Sequence, residues 1–307
     1  MKHAQRPVVL SARSGPADEQ TGRARIAEEL GVDQIWIEQQ PDQRDSTIVA
    51  ANYLHHAPSA AVGTSVLPVY TRNPVTTAQA ALTLADFSGG RFMLGLGFSH
   101  QFVNEYVLGC QQGPPIAVMR EYLKIVKGMM HQGSVMFEGK YFTAHANYLG
   151  FRHPVPLYLA ALRPQMIRLA VTECDGIVLW LCSHRFVREH ITPMVERVCA
   201  EVGKDPDEFK VITILPTYTG KTHAKSTFEQ FCQTVKAYRL IPYYRYVLEA
   251  HGTIEPEQLC LIGSEEHIRE RMAEFRDAGC TPIPSPLGAT YEEFAEDVLA
   301  AYGPKPS

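Results

Sequence analysis

The side chains of this chain that could do chemistry gather where apolar runs end. Arg91 to Gly97 is an almost unbroken apolar run, and Ser99, His100, Gln101 and Asn104 follow it directly. An imidazole titrates near neutral pH, so His100 is the leading candidate to give or take a proton. Glu38, Gln39 and Gln40 follow a second run, Gln34-Ile-Trp-Ile37, and Gln39 is the next candidate for a catalytic role. Thr64, Ser65, Tyr70, Thr71 and Arg72 lie within and after a third run, and Ser183 and His184 after another. The chain has 12 histidines but no H-E-x-x-H or comparable grouping, and 7 cysteines but no C-x-x-C. That pattern predicts no metal site. No G-x-S-x-G marks an activated serine either. With neither metal nor nucleophile, hard chemistry falls to a bound organic cofactor.

Two further stretches suit such a cofactor. Gly95 and Gly97 leave room for another backbone or a flat ligand to approach. Ala160-Ala-Leu-Arg-Pro164 joins a strand to a helix, with Pro164 at a first helical position. Backbone N–H groups at a helix N-terminus bind phosphate, and Arg163 adds positive charge. Trp180, Tyr218, Tyr243 and Tyr244 are candidates to wall an apolar substrate pocket. Arg72 and Arg163 are candidates to meet an anionic cofactor.

The elements that must position these residues alternate along the chain. Strands are predicted over 7–11, 34–38, 60–69, 91–97, 157–161, 177–181, 210–215 and 281–283. Helices are predicted over 19–30, 46–56, 76–87, 117–130, 164–172, 185–202, 226–238 and 265–278, the last of them. Ala78, Ala81, Leu82 and Ala85 recur at helical spacing, and Ser88-Gly-Gly90 ends that helix. A hairpin insertion is expected at 134–144 and a second insertion at 240–263. Eight β/α units in about 300 residues is the count of a (β/α)8 TIM barrel, whose active sites lie at the C-terminal ends of the strands. A Rossmann fold would want G-x-G-x-x-G after the first strand, where this chain reads SARSGPADEQ. No linker divides the chain, so 1–307 reads as a single barrel domain with a frayed tail from Gly303.

Bulk composition excludes several classes. The net charge is −4, which gives no reason to expect nucleic acid or an anionic membrane surface. No apolar run approaches the ~18 residues of a membrane span, and the N-terminus lacks the apolar core of a signal peptide. The odd, scattered cysteines suit a reduced, cytoplasmic protein.

At this point a family resemblance emerges. Gly63-Thr-Ser-Val-Leu-Pro-Val-Tyr-Thr-Arg-Asn-Pro74, Leu84-Ala-Asp-Phe-Ser-Gly-Gly-Arg-Phe-Met-Leu-Gly-Leu-Gly97, Met119-Arg-Glu-Tyr122 and Val155-Pro-Leu-Tyr-Leu-Ala-Ala-Leu162 resemble the bacterial-luciferase-like flavin and deazaflavin oxidoreductases. So do Asp175-Gly176 and Leu261-Ile-Gly263, and the similarity runs from about Gly31 to Gly279. The chain is most similar to the actinobacterial branch that uses the deazaflavin coenzyme F420.

The resemblance implies a cofactor across the barrel mouth, its ring near strands two to four. It places a non-prolyl cis peptide at Ser65-Val66 and makes Asn104 a cofactor contact. It also implies that the Ala161 and Leu162 backbones hold the cofactor phosphate. The glucose-6-phosphate dehydrogenase branch carries Asp-His after strand two, with His as base. Gln39-Gln40 stands there in this chain, which argues against sugar-phosphate dehydrogenation. The resulting expectation is an F420-dependent oxidoreductase moving a hydride to or from a small organic substrate, with Gln39, Ser65, Val66, Gly97, Ser99, Asn104, Ala161, Leu162 and Arg163 around the cofactor. A homodimer is expected. The alternatives are an FMN-dependent monooxygenase and a non-catalytic barrel that binds a small molecule.

Overall fold

The computed structural model describes residues 5–11, 16–219, 224–250, 256–287 and 290–305. Eight parallel strands form the barrel: β1 (Pro7–Val9), β2 (Gln34–Ile37), β3 (Ala61–Thr64), β4 (Phe92–Gly97), β5 (Leu157–Ala160), β6 (Gly176–Trp180), β7 (Lys210–Tyr218) and β8 (Thr281–Pro286). Each of β1 to β7 hydrogen-bonds to the next, and β8 pairs with β7. β8 lies beside β1 and so brings the wall round to its start. The helices are α1 (Ala17–Glu29), α2 (Ser46–His56), α3 (Pro74–Ser88), α4 (Pro115–Lys127), α5 (Pro164–Glu173), α6 (Thr192–Val202), α7 (Ala224–Tyr238), α8 (Pro242–Glu249), α9 (Glu265–Asp277) and α10 (Tyr291–Tyr302). Prolines stand in the first turn of α3, α4, α5, α6 and α8, where the missing N–H costs nothing.

Two hydrophobic layers hold this arrangement. The barrel interior is filled by Val9, Trp36, Met93, Tyr158, Val178, Ile212, Ile214 and Ile283. Trp36 and Tyr158 meet edge to face, ring centroids 5.0 Å apart. A Cβ on Gly63 would lie 2.8 Å from the Trp36 ring, so the glycine makes room for the indole. The larger layer lies between strands and helices and runs through Ile35, Ile37, Leu82, Leu94, Tyr122 and Phe275.

Several expectations need correction. Strand three does not run unbroken over 60–69. It stops at Thr64, turns through a cis Ser65–Val66 bond, and resumes as Leu67–Pro68 against Leu96–Gly97. The helix expected over 185–202 divides into His184–Phe186, a π turn at Val187–Ile191, and α6. α4 likewise ends in a π turn at Gly128–Gln132. The hairpin runs from Ser134–Glu138 to Thr143–Asn147, three residues further than expected. α9 is not the last helix, because α10 follows β8. The stretch after Gly303 is not frayed as far as it is described. The Arg6 guanidinium donates to the carbonyls of Gly303 at 2.6 Å and Pro304 at 3.0 Å.

β8 also extends to Pro286 rather than stopping at Ile283. Prolines at 282, 284 and 286 read as breakers in sequence. In a parallel strand, alternate residues bond to opposite neighbours. Leu287 N donates to Thr217 O at 3.0 Å, so the odd positions face β7 and the prolines face β1. That side of β8 therefore has no N–H to offer at these positions, which accounts for β8 pairing with β7 alone.

Candidate active site

The strand register fixes what faces the mouth. Val9 is level with Trp36, and Trp36 with Gly63. Side chains alternate along a strand, so the next inward positions, two residues on, are Ser11, Glu38 and Ser65. They form one polar row across three adjacent strand ends. Glu38 Oε1 accepts a short bond from Ser11 Oγ and a 3.4 Å bond from Gln43 Nε2. Ser65 N donates to Ile37 O at 2.7 Å, which holds the row in register. Gln39 points elsewhere. Its Oε1 accepts from Ser46 N at 2.7 Å at the start of α2, and its Nε2 donates to Gln40 O.

The break in strand three explains the two glycines of β4. A Cβ on Gly95 would lie 2.0 Å from the Thr64 carbonyl oxygen, and one on Gly97 would lie 2.4 Å from Val66 Cγ2. Thr64 Oγ1 donates to Gly95 O at 2.7 Å and accepts from Gly95 N at 2.9 Å. The close approach anticipated here is thus made by the chain itself, and it fixes Val66 against the mouth.

Beyond β4, Ser99 adopts a left-handed φ of 66° and His100 follows. The His100 ring lies nearly parallel to that of Tyr243, at an interplanar angle of 7° with centroids 5.8 Å apart, and near Tyr238 and Tyr244. Its Nδ1 makes a short hydrogen bond with the Tyr243 hydroxyl, which also reaches Ser99 O at 3.4 Å. Burial lowers the His100 pKa and raises that of the Tyr243 phenol, so both are neutral near pH 7. Asn104 is fully buried in a π turn at Val103–Val107. Its Nδ2 donates to Phe98 O at 3.0 Å and to Gln112 Oε1 at 2.8 Å.

After β5, the strand next to β4, Ala161 is buried and Leu162 half-buried at the entry to α5. No side chain caps that helix. Arg163 is exposed and stacks over the Tyr246 ring at 5.8 Å. A cavity of about 260 Å³ opens beside it, lined among others by Leu162, Pro164, Phe186, His190 and Tyr246. Trp180 joins the barrel interior to the cluster formed by α7 and α8 and meets Phe231 edge to face.

Tyr244 is buried in the α7–α8 cluster, with its ring as close to that of His100 as the ring of Tyr243 is. Arg72 is committed to Asp45, with a second bond to Thr47 Oγ1 at 3.0 Å. Burial alone would raise the Asp45 pKa. The bonds from Thr47 and Arg72 outweigh it and hold the carboxyl below its usual value.

In the sequence Glu38 is only one polar residue after strand two, and its parity with Trp36 is the signal that singles it out. Three buried atoms around this mouth, Glu38 Oε2, Ser65 Oγ and Asn104 Oδ1, have no hydrogen-bond partner among the described residues. Nearly all such atoms are paired in native proteins, so their concentration at the ends of β2, β3 and β4 points to a ligand. No group of three or more His, Cys, Asp or Glu residues able to hold a metal ion occurs among the described residues.

Comparison with known proteins gives concordant results. Residues 3–281 match the model of the luciferase-like monooxygenase family. A putative coenzyme F420-dependent oxidoreductase of Mycobacterium tuberculosis is 36% identical over 278 residues, covering 74% of this chain and 79% of that protein. The 5,10-methylenetetrahydromethanopterin reductase of Methanolobus tindarius is 29% identical over 301 residues, covering 88% and 91%. Among solved structures, the coenzyme F420-dependent tetrahydromethanopterin reductase of Methanopyrus kandleri superposes with a TM-score of 0.78 at 18% identity, covering 96% of this chain and 97% of that one.

Proposed function

This chain belongs to the luciferase-like monooxygenase family, and from that premise we propose that it is a coenzyme F420-dependent oxidoreductase acting on a small organic substrate. The observation that carries this reading is the set of unpartnered buried atoms at the ends of β2, β3 and β4. The bound deazaflavin supplies the hydride chemistry. Ser65 and Val66 form the surface on which its ring lies, Gly97 keeps Val66 in place, and Asn104 meets it through Oδ1. The uncapped N-terminus of α5 suits its phosphate, with the backbones of Ala161, Leu162 and Arg163 around it. The cavity beside Leu162 and Pro164 offers room for the part of F420 that extends past the phosphate, a part that FMN lacks.

His100 holds or moves the substrate proton in this reading, through a neutral imidazole oriented by Tyr243. Gln39 acts by bracing the strand end on α2. Trp180 and Tyr243 wall the substrate side, with Tyr244 packed behind them. We read the chain as one barrel domain and a cytoplasmic protein, a reading that its seven scattered cysteines, without a C-x-x-C, support. No helix among the described residues is long and apolar enough to cross a membrane. The exposed apolar side chains Ile48, Phe87, Phe102 and Tyr106 favour a homodimer.

Parallel absorbance and fluorescence titrations with F420 and FMN test the cofactor assignment. Saturable F420 binding without FMN binding is expected. Tight FMN binding without F420 would replace this reading with the monooxygenase. F420 binding with no turnover over carbonyl and enone substrates would favour a non-catalytic barrel.

A further inference from the structure

Glu38 sits where β2 ends, and its side chain faces the barrel mouth. The facing follows from Trp36, two residues earlier, which fills the interior. Register places Glu38 between Ser11 on one side and Ser65 on the other. Its two oxygens differ. Oε1 is held by two neutral donors, Ser11 Oγ and Gln43 Nε2. Oε2 is buried and has no partner among the described residues. No Lys, Arg or His among them forms an ion pair with it.

Two donors on one oxygen fix the plane of the carboxyl and therefore the direction of the other. A buried acceptor left open is costly unless something fills it. The adjacent Ser65 Oγ is open as well, so two vacant hydrogen-bonding atoms stand on neighbouring strand ends at one level.

We propose that Glu38 is a specificity-determining residue whose free oxygen accepts an O–H or N–H of the substrate, so that the mouth takes neutral or cationic hydrogen-bond donors in preference to anions. This rests on the oxidoreductase reading only for calling the occupant a substrate. A donor entering the mouth satisfies Oε2 directly. A substrate carboxylate or phosphate at the same place meets a like charge and no donor from this residue. Gln39 and His100 do not supply this selection, because one is bound to α2 and the other to Tyr243.

Three probes of one shape and different charge test the proposal: benzamidine, benzamide and benzoate. Their affinities are measured by titration calorimetry on wild type, Glu38→Gln and Glu38→Asp, each with and without F420. Wild type is expected to rank benzamidine above benzamide above benzoate. Glu38→Gln should weaken benzamidine by about 10- to 100-fold, the range for a lost charge-assisted bond, and should not weaken benzoate. Glu38→Asp should keep the order with a smaller loss. It also serves as the second variant if Glu38→Gln does not fold, which thermal melts will show.

The proposal is overturned if Glu38→Gln keeps the wild-type ranking and benzamidine affinity, if benzoate binds wild type tightest, or if wild type binds none of the three. F420 binding by wild type is scored separately. Its absence with the probe ranking intact removes the cofactor assignment alone. Its presence with a ranking indifferent to Glu38 removes this inference alone.

Discussion

Gly97→Ala should damage the cofactor surface, and Val66→Ala should repair it. A Cβ on Gly97 would lie 2.4 Å from Val66 Cγ2 but an unstrained 3.5 Å from Ala160 Cβ. Ordinary contact begins at 3.4 Å, so Val66 must yield by 3.4 − 2.4, or about 1 Å. Valine is stiff at χ1, and overpacking of this kind costs about 1–3 kcal/mol. The displaced side chain belongs to the surface proposed to carry the ring. We therefore expect Gly97→Ala to lose about 1–3 kcal/mol of stability and at least about tenfold in F420 affinity. Adding Val66→Ala removes the opposing methyls, so the double variant should recover most of both losses, a coupling of about 1–2 kcal/mol.

Gly95→Ala is the control. Its Cβ would meet a backbone oxygen, Thr64 O, at 2.0 Å, and no side-chain change relieves that. It should cost more, and Val66→Ala, which relieves only a 3.3 Å contact with Val66 Cγ1, should recover little of the loss. Urea unfolding and F420 titration on the single and double variants decide the matter. A Gly97→Ala protein with wild-type stability and affinity, or a double variant no better than Gly97→Ala, would refute the reasoning.

Three further outcomes follow from the same geometry. His100→Ala should lower turnover by roughly 10²–10⁴-fold while changing F420 affinity little; full turnover would reduce His100 to a wall residue. Burial lowers the His100 pKa, so the stability it contributes is complete above the unfolded value of about 6.5 and is lost as pH falls towards the folded one. The stability gap between wild type and His100→Asn should therefore narrow from pH 8 to pH 5 in urea unfolding, and a gap that widens contradicts the sign. The Glu121 carboxylate accepts from the backbone N–H groups of Lys140, Tyr141 and Phe142. Burial would raise its pKa, yet these bonds lower it. Glu121→Ala should speed hydrogen exchange across the hairpin, residues 134–147, without affecting barrel amides, and unchanged hairpin exchange would mean that Glu121 does not anchor it.

Local signals in the sequence were sufficient wherever one element carries its own start and stop. α2 matches its expected span, residues 46–56, because Asp45 caps it through Thr47 N and Ile48 N and its apolar spacing continues to Leu54. β4 is legible because a strand buried on both faces reads as one apolar run, and Pro164 marks the start of α5. α10 was also legible. Thr290 and Glu293 form a capping box, a spacing recognisable in sequence.

The rest depended on what lies across the barrel. Gly63 and Pro68 punctuate residues 60–69 without marking a break after Thr64, and that break sets the strand end across the glycines of β4. The prolines of β8 look like breakers until it is known which neighbour they face. Arg72 looked available until Asp45 was found beside it. His100 and Tyr243 are 143 positions apart, and only closure of the α7–α8 cluster over the mouth brings them together. Glu38 became the inward residue by parity with Trp36, and its open oxygen was visible only once every neighbour was in place. A sequence records which groups a chain owns and where local structure begins. Which of those groups remain unpaired depends on partners distant in the chain, and the folded barrel alone decides that.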